Sequence, residues 1–134
     1  KQGAVVATGA QFTERTCTPT VMTNVKPDMR IACEETFAPI VSIVPYETLD
    51  EAIALVNDST LGLNAGIYTN VLTDAMIAAE ELEVGAVMIN DIPTFRVDHM
   101  PYGGVKMSGY GREGIKYAIE EMTELKFITM KLEF

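Results

Sequence analysis

Glu34 and Glu35 stand side by side ahead of Phe37-Ala38-Pro39. A carboxylate pair can serve acid-base work, but neighbouring side chains on an extended chain point to opposite faces. Local pattern alone gives the pair a structural role, as a capping or solvated Glu before a strand. Downstream, Phe95, Arg96, His99 and Tyr102 decorate a segment that leads into Gly103-Gly104. The bland reading there is an aromatic lining with surface charges. An arginine among aromatics could also grip a carboxylate or phosphate through a charge-assisted fork.

The run Gly109-Tyr110-Gly111-Arg112-Glu113-Gly114 satisfies Gly-x-Gly-x-x-Gly and opens a helix. As a dinucleotide fingerprint it would have to follow a parallel strand directly and precede another strand bearing an acidic residue. The preceding strand is expected to end near Ile89, so the phosphate-loop reading is rejected. Cys17 and Cys33 are weak nucleophile candidates. A free thiol has a pKa near 8.5 and is mostly protonated at neutral pH. Two carboxylates follow Cys33, and no cation directly follows Cys17. Both are expected to be structural and reduced. One histidine and no metal-ligand spacing argue against a metal site.

The elements that must carry these residues alternate strand and helix, which implies an α/β fold. Ala4–Thr8 reads as a short buried strand, Pro19–Val25 as extended and Ile40–Val44 as a β-branched strand. Thr48 and Glu51 form a capping box before Leu49, Ala52, Ile53 and Val56, which share one helix face. Leu63–Thr69 returns as a strand. Thr69 or Asn70 is expected to cap a helix with an apolar stripe of Leu72, Ala75, Met76, Ala79 and Leu82. Ala86–Ile89 is a buried strand after Gly85. Residues 90–109 lack a period and read as an ordered site loop. A helix is expected from about Gly111 to Thr123, with Ile115, Ala118, Ile119 and Met122 on one face. Ile128, Met130, Leu132 and Phe134 alternate with polar residues as a half-buried terminal strand.

Composition sets the outer limits. The chain has 134 residues, with 48% hydrophobic and 22% charged side chains, ordinary for a globular domain. A net charge of −9 disfavours nucleic acid and anionic membranes, which need clustered Lys and Arg. No apolar run reaches the roughly 20 residues that span a bilayer. The sparse cysteines and missing secretory pattern lead us to expect a cytoplasmic setting.

Arg30-Ile31-Ala32-Cys33-Glu34-Glu35-Thr36-Phe37-Ala38-Pro39-Ile40 resembles the Glu-x-Phe-Gly-Pro segment of NAD(P)-dependent aldehyde dehydrogenases. Pro101-Tyr102-Gly103-Gly104-Val105-Lys106-Met107-Ser108-Gly109-Tyr110-Gly111-Arg112-Glu113 is similar to that family's glycine-rich signature near the C-terminus. The order matches as well. The resemblance implies a mainly parallel sheet flanked by helices. It also implies a division into residues 1–125, the distal part of a catalytic domain, and 126–134, an oligomerisation strand.

By the same resemblance, Glu35 holds the nicotinamide ribose of NAD or NADP and Phe37 packs near the nicotinamide. Tyr102 lines the substrate tunnel, and Phe95 or Arg96 matches a second lining residue of the family. The substrate is then an aldehyde, an anionic one if Arg96 faces it, and the enzyme a homo-oligomer. Phe95–Pro101 is similar to lactaldehyde or semialdehyde dehydrogenases. Ala38 replaces the family's Gly, which would strain the loop if that position needed a positive φ.

The full enzyme oxidises its aldehyde through a cysteine thiohemiacetal. The family's cysteine lies well upstream of the Glu motif, so we expect a part of an enzyme, with no catalytic residue of its own and inactive alone. Two alternatives stay open: a stand-alone binding or assembly module of this fold, and an acyl-phosphate reductase relative.

Overall fold

β-Branched residues place a strand at the middle of the first sheet. In the computed structural model, which describes residues 2–133, β2 (Thr20–Thr23) lies between β1 (Val5–Thr8) and β3 (Ile40–Ser42). β1 runs antiparallel to β2, with a register irregularity between Val6 and Thr8. β3 runs parallel to β2, pairing Thr20 with Ile40 and Met22 with Ser42. Parallel pairing requires a crossover, and residues 24–39, with the short helix α1 (Arg30–Cys33), supply it. α2 (Leu49–Asn57) follows.

The chain divides between Ser59 and Thr60 into two compact units. Val25, Met29 and Ile53 are the buried apolar side chains of the first. Thr20 is buried beside them in sequence, only 4% exposed, and its hydroxyl is fully used. It accepts from the Ala10 N–H at 2.8 Å and donates to the Thr18 carbonyl at 2.8 Å. That bond holds Ala10 at φ +57°, a left-handed conformation costly for a residue with a Cβ.

Capping of α2 follows the sequence expectation, with one change. The Thr48 hydroxyl accepts from the Glu51 N–H at 3.2 Å, while the Glu51 carboxylate accepts from the Glu47 N–H at 2.7 Å. The return bond thus reaches one residue further back than an ideal capping box. β1 differs more: its four residues are all exposed, not buried. It is an edge strand whose described pairing is to β2 alone.

The second unit is built on β5 (Asn64–Ile67) and β6 (Ala86–Ile89), a parallel pair linked by α3 (Leu72–Glu81). A separate antiparallel pair joins β4 (Leu61–Gly62) to β7 (Val105–Lys106). α3 packs on β6 through its alanines, with Ala75 and Ala78 buried. Small side chains on that line leave the expected stripe partly outside, with Leu72 76% and Met76 49% exposed. The cap also differs. Val71 occupies the N-cap position without a side-chain bond, and Thr69 instead accepts from the Val71 N–H at 3.0 Å.

Two further expectations shift. The last helix, α4, spans Ile115–Met122, not from Gly111. Gly111 and Gly114 adopt φ of +72° and +121°, which no right-handed helix accommodates. Its expected apolar face is largely open: Ile115 is 72% and Met122 85% exposed. Residues 123–133 are exposed and carry no sheet pairing among the described residues. The half-buried strand is therefore not present in this form, because a strand needs a partner for its alternate N–H and C=O groups. Phe134 lies outside the described residues.

No helix among the described residues is long and apolar enough to cross a membrane.

Candidate functional site

In the first unit the adjacent carboxylates part company. Glu34 caps the C-terminal end of α1, its backbone N–H bonding the Arg30 carbonyl. Its side chain accepts two bonds from the Arg30 guanidinium, both at 2.8 Å. This i,i+4 fork is the bidentate geometry that guanidinium and carboxylate favour. It holds the Glu34 carboxyl below its ordinary pKa and raises that of Arg30, the hydrogen bond being the main cause in each case. Glu35 is exposed and makes no hydrogen bond or ion pair among the described residues. One of the two is spent on the fold; the other is free to act.

The loop carrying Glu35 and Phe37 is short and tethered. Ala38 N–H bonds the Thr36 carbonyl at 3.0 Å, Ile40 N–H bonds the Ala38 carbonyl at 2.7 Å, and Thr20 N–H bonds the Pro39 carbonyl at 2.9 Å. These turns hold the backbone to β2 while both side chains project outward. Phe37 is 92% exposed. Ala38 does not adopt a positive φ, so the strain considered from the sequence does not arise. A two-acceptor carboxylate and a flat apolar ring on a tethered loop fit a ribose and an aromatic heterocycle.

In the second unit, three residues meet. Tyr102 and Glu113 form a two-way backbone bridge: Tyr102 N–H bonds the Glu113 carbonyl at 3.0 Å, and Glu113 N–H bonds the Tyr102 carbonyl at 2.6 Å. The Arg96 guanidinium carbon lies 4.2 Å from the centre of the Tyr102 ring, within the range of a cation–π contact. Arg96 Nη2 stands 3.6 Å from Glu113 Oε2, an ion pair without a hydrogen bond. The structure thus brings Arg96 and Tyr102 together. Phe95 is half exposed on the same loop and His99 is exposed.

The glycines shape the support beneath this trio. Gly85 leaves no room for a Cβ, which would run into the Gly103 carbonyl. Arg112, in contrast to Arg96, is a structural arginine: its Nη1 donates to the carbonyls of Gly104 at 3.0 Å and Gly111 at 2.7 Å. β7 does precede the Gly-x-Gly-x-x-Gly run more closely than expected. It has two residues and is antiparallel to β4, so it is not the parallel strand of a dinucleotide loop, and the rejection of that reading stands.

Glu113 is the residue that sequence reasoning missed. It lay inside the glycine-rich string and was counted as part of a helix start. Its position across the chain from Tyr102 is a tertiary fact without a local signal. Neither cysteine is paired. The Cys17 thiol donates to the Thr18 carbonyl at 3.3 Å and the Cys33 thiol to the Pro27 carbonyl at 2.9 Å. No cluster able to hold a metal ion occurs among the described residues.

Comparison with known proteins adds the following. The profile of the Aldehyde dehydrogenase family matches residues 1–128. The chain is 51% identical over 132 residues to the 3-sulfolactaldehyde dehydrogenase of Priestia aryabhattai, covering 98% of this chain and 28% of that protein. Among solved structures it resembles aldehyde dehydrogenase 21 from Physcomitrella patens in complex with the reaction product succinate. That match has a TM-score of 0.87 and 41% identity over 91% of this chain and 25% of the other. It also resembles the glyceraldehyde-3-phosphate dehydrogenase of Methanocaldococcus jannaschii complexed with NADP. There the TM-score is 0.87 and the identity 40%, over 92% of this chain and 27% of the other. The chain therefore spans about a quarter of the length of these relatives.

Proposed function

This chain belongs to the aldehyde dehydrogenase family, and we propose that it forms the distal part of the catalytic domain of an NAD(P)-dependent enzyme oxidising an anionic aldehyde to a carboxylic acid. The observation that carries the substrate class is the Arg96 guanidinium carbon over the Tyr102 ring, 4.2 Å from its centre, on a side chain that stays 44% exposed. A half-exposed guanidinium that meets a ring keeps N–H donors available to an anionic headgroup. Some relatives are of this kind, their names mentioning a sulfonated aldehyde, a dicarboxylate product and a phosphorylated aldehyde, while others name lactaldehyde or betaine aldehyde.

Glu35 and Phe37 fit a place in the cofactor clamp. The Glu35 carboxylate would accept the two hydroxyls of a ribose, and Phe37 would lie against the nicotinamide of NAD or NADP. When bound, the nicotinamide supplies hydride acceptance. This chain's share is to position that ring and the aldehyde's charged end, and to exclude water with its aromatic loop. Phe95 contributes apolar lining on the tunnel side.

The thiols of Cys17 and Cys33 both donate to nearby carbonyls, which supports a structural role for each; on this reading the nucleophile is neither of them and the 134-residue polypeptide is inactive by itself. The exposed apolar residues Leu125, Phe127, Ile128, Met130 and Leu132 support pairing of the 126–134 segment with a second subunit. We place the enzyme in the cytoplasm as a homo-oligomer.

The test uses the full-length enzyme. Arg96→Ala should lower kcat/KM for succinic semialdehyde about ten- to a hundred-fold relative to butyraldehyde, the worth of a charge-assisted hydrogen bond. Equal losses on both substrates would remove the anionic reading. Turnover by the purified 134-residue chain would remove the claim that the chemistry lies elsewhere.

A further inference from the structure

We propose that Glu113 is a specificity-determining residue: a built-in counter-ion that occupies Arg96 until the anionic end of the substrate displaces it. The proposal rests on the reading of Arg96 as the anion-binding residue. Three features of the trio carry it.

First, Glu113 is not the sole neighbour of Arg96. The guanidinium carbon lies 4.2 Å from the centre of the Tyr102 ring, whereas the carboxylate lies 3.6 Å away and makes no hydrogen bond to it. Second, the backbone of Glu113 is locked to Tyr102 in both directions, so its carboxylate stays within reach of the cation even when it swings into solvent. Third, the pair is open to water, with side-chain exposures of 44% for Arg96 and 72% for Glu113. An exposed pair of this kind is weak, and a substrate anion able to make direct charge-assisted bonds outcompetes it. Tyr102 therefore stands against the cation, and Glu113 sets how strongly it attracts.

The arrangement has a consequence for selectivity. Without a substrate anion, Arg96 keeps a counter-charge, which limits capture of small adventitious anions. With one, the carboxylate is released to solvent at little cost. Competition from Glu113 lowers the affinity for anionic aldehydes and leaves that for neutral ones unchanged, so it moderates the preference that Arg96 creates.

Four forms of the full-length enzyme test this: wild type, Arg96→Ala, Glu113→Gln and the double variant, each assayed with succinic semialdehyde and butyraldehyde. Glutamine keeps the size and the backbone bridge while removing the charge. Glu113→Gln should raise the ratio of kcat/KM for succinic semialdehyde over butyraldehyde about two- to five-fold, the factor expected of an exposed ion pair. The gain should appear in KM, shrink as KCl is raised, and vanish in the Arg96→Ala background. If Arg96→Ala lowers the ratio but Glu113→Gln leaves it unchanged or lowers it, the counter-ion role is wrong while the anion reading survives. A rise with Glu113→Gln that persists without Arg96 also overturns it. If Arg96→Ala does not move the ratio, the anion reading fails and this proposal fails with it.

Discussion

The Glu35 loop and the Arg96 loop are opposites in how they treat charge. Glu35 stands without a partner beside Glu34, whose two oxygens are both taken by Arg30 at 2.8 Å. Arg96 already has company, an aromatic face and a carboxylate. The first loop keeps its acceptor empty by giving the local cation to the neighbouring residue. The second keeps its donor occupied, but loosely. An exposed, unpaired carboxylate is stable in water and ready for hydroxyl donors, whereas the half-exposed guanidinium already lies over a ring. The difference shows two ways of preorganising a polar contact: sparing a group, and parking one.

The largest effect should come from the spared group. If Glu35 accepts two ribose hydroxyls as proposed, Glu35→Gln in the full-length enzyme should raise KM for the dinucleotide about ten-fold or more. Glu34→Gln should leave that KM far less affected. If both variants raise it equally, the division of labour between the two carboxylates is wrong.

Next in size is the support of the Glu35 loop. Thr20→Val keeps the shape of a buried residue but strands the Ala10 N–H and the Thr18 carbonyl, and should cost about 1–3 kcal/mol in chemical denaturation. A loss below about 0.5 kcal/mol would mean that water replaces the hydroxyl. Ala10→Gly works in the other direction. It relieves the left-handed φ and should stabilise by roughly 0.5–1 kcal/mol after the entropy of glycine is counted. A destabilised Ala10→Gly would show that this φ is not strained in solution.

The smallest effect is the pH dependence of the Arg30–Glu34 fork. The Glu34 carboxyl has its pKa lowered in the folded chain. Its contribution is therefore present above the ordinary glutamate value of about 4.3 and lost as pH falls through the lowered value. The raised pKa of Arg30 keeps it charged throughout. Both groups are fully exposed, so the signal should be slight, weakened by salt and absent in Glu34→Gln. An unchanged acid profile in Glu34→Gln would assign the slope to other carboxylates.

The sequence by itself determined the alternation of strand and helix, the Thr48 cap and the family through two motifs, because periodicity, capping and tight glycine turns are local properties. It also marked Phe95, Arg96, His99 and Tyr102 as candidates on the loop that follows β6. Local pattern failed where burial depends on what lies opposite. β1 looked buried and is open, the α3 stripe runs along alanines, and α4 starts late because two left-handed glycines precede it. Which of two adjacent carboxylates is free follows from the i,i+4 pairing of Arg30 with Glu34, a local contact. Only the tertiary structure brought Glu113 back onto Tyr102, because a backbone bridge between two segments is fixed by where the chain returns, not by which residue comes next.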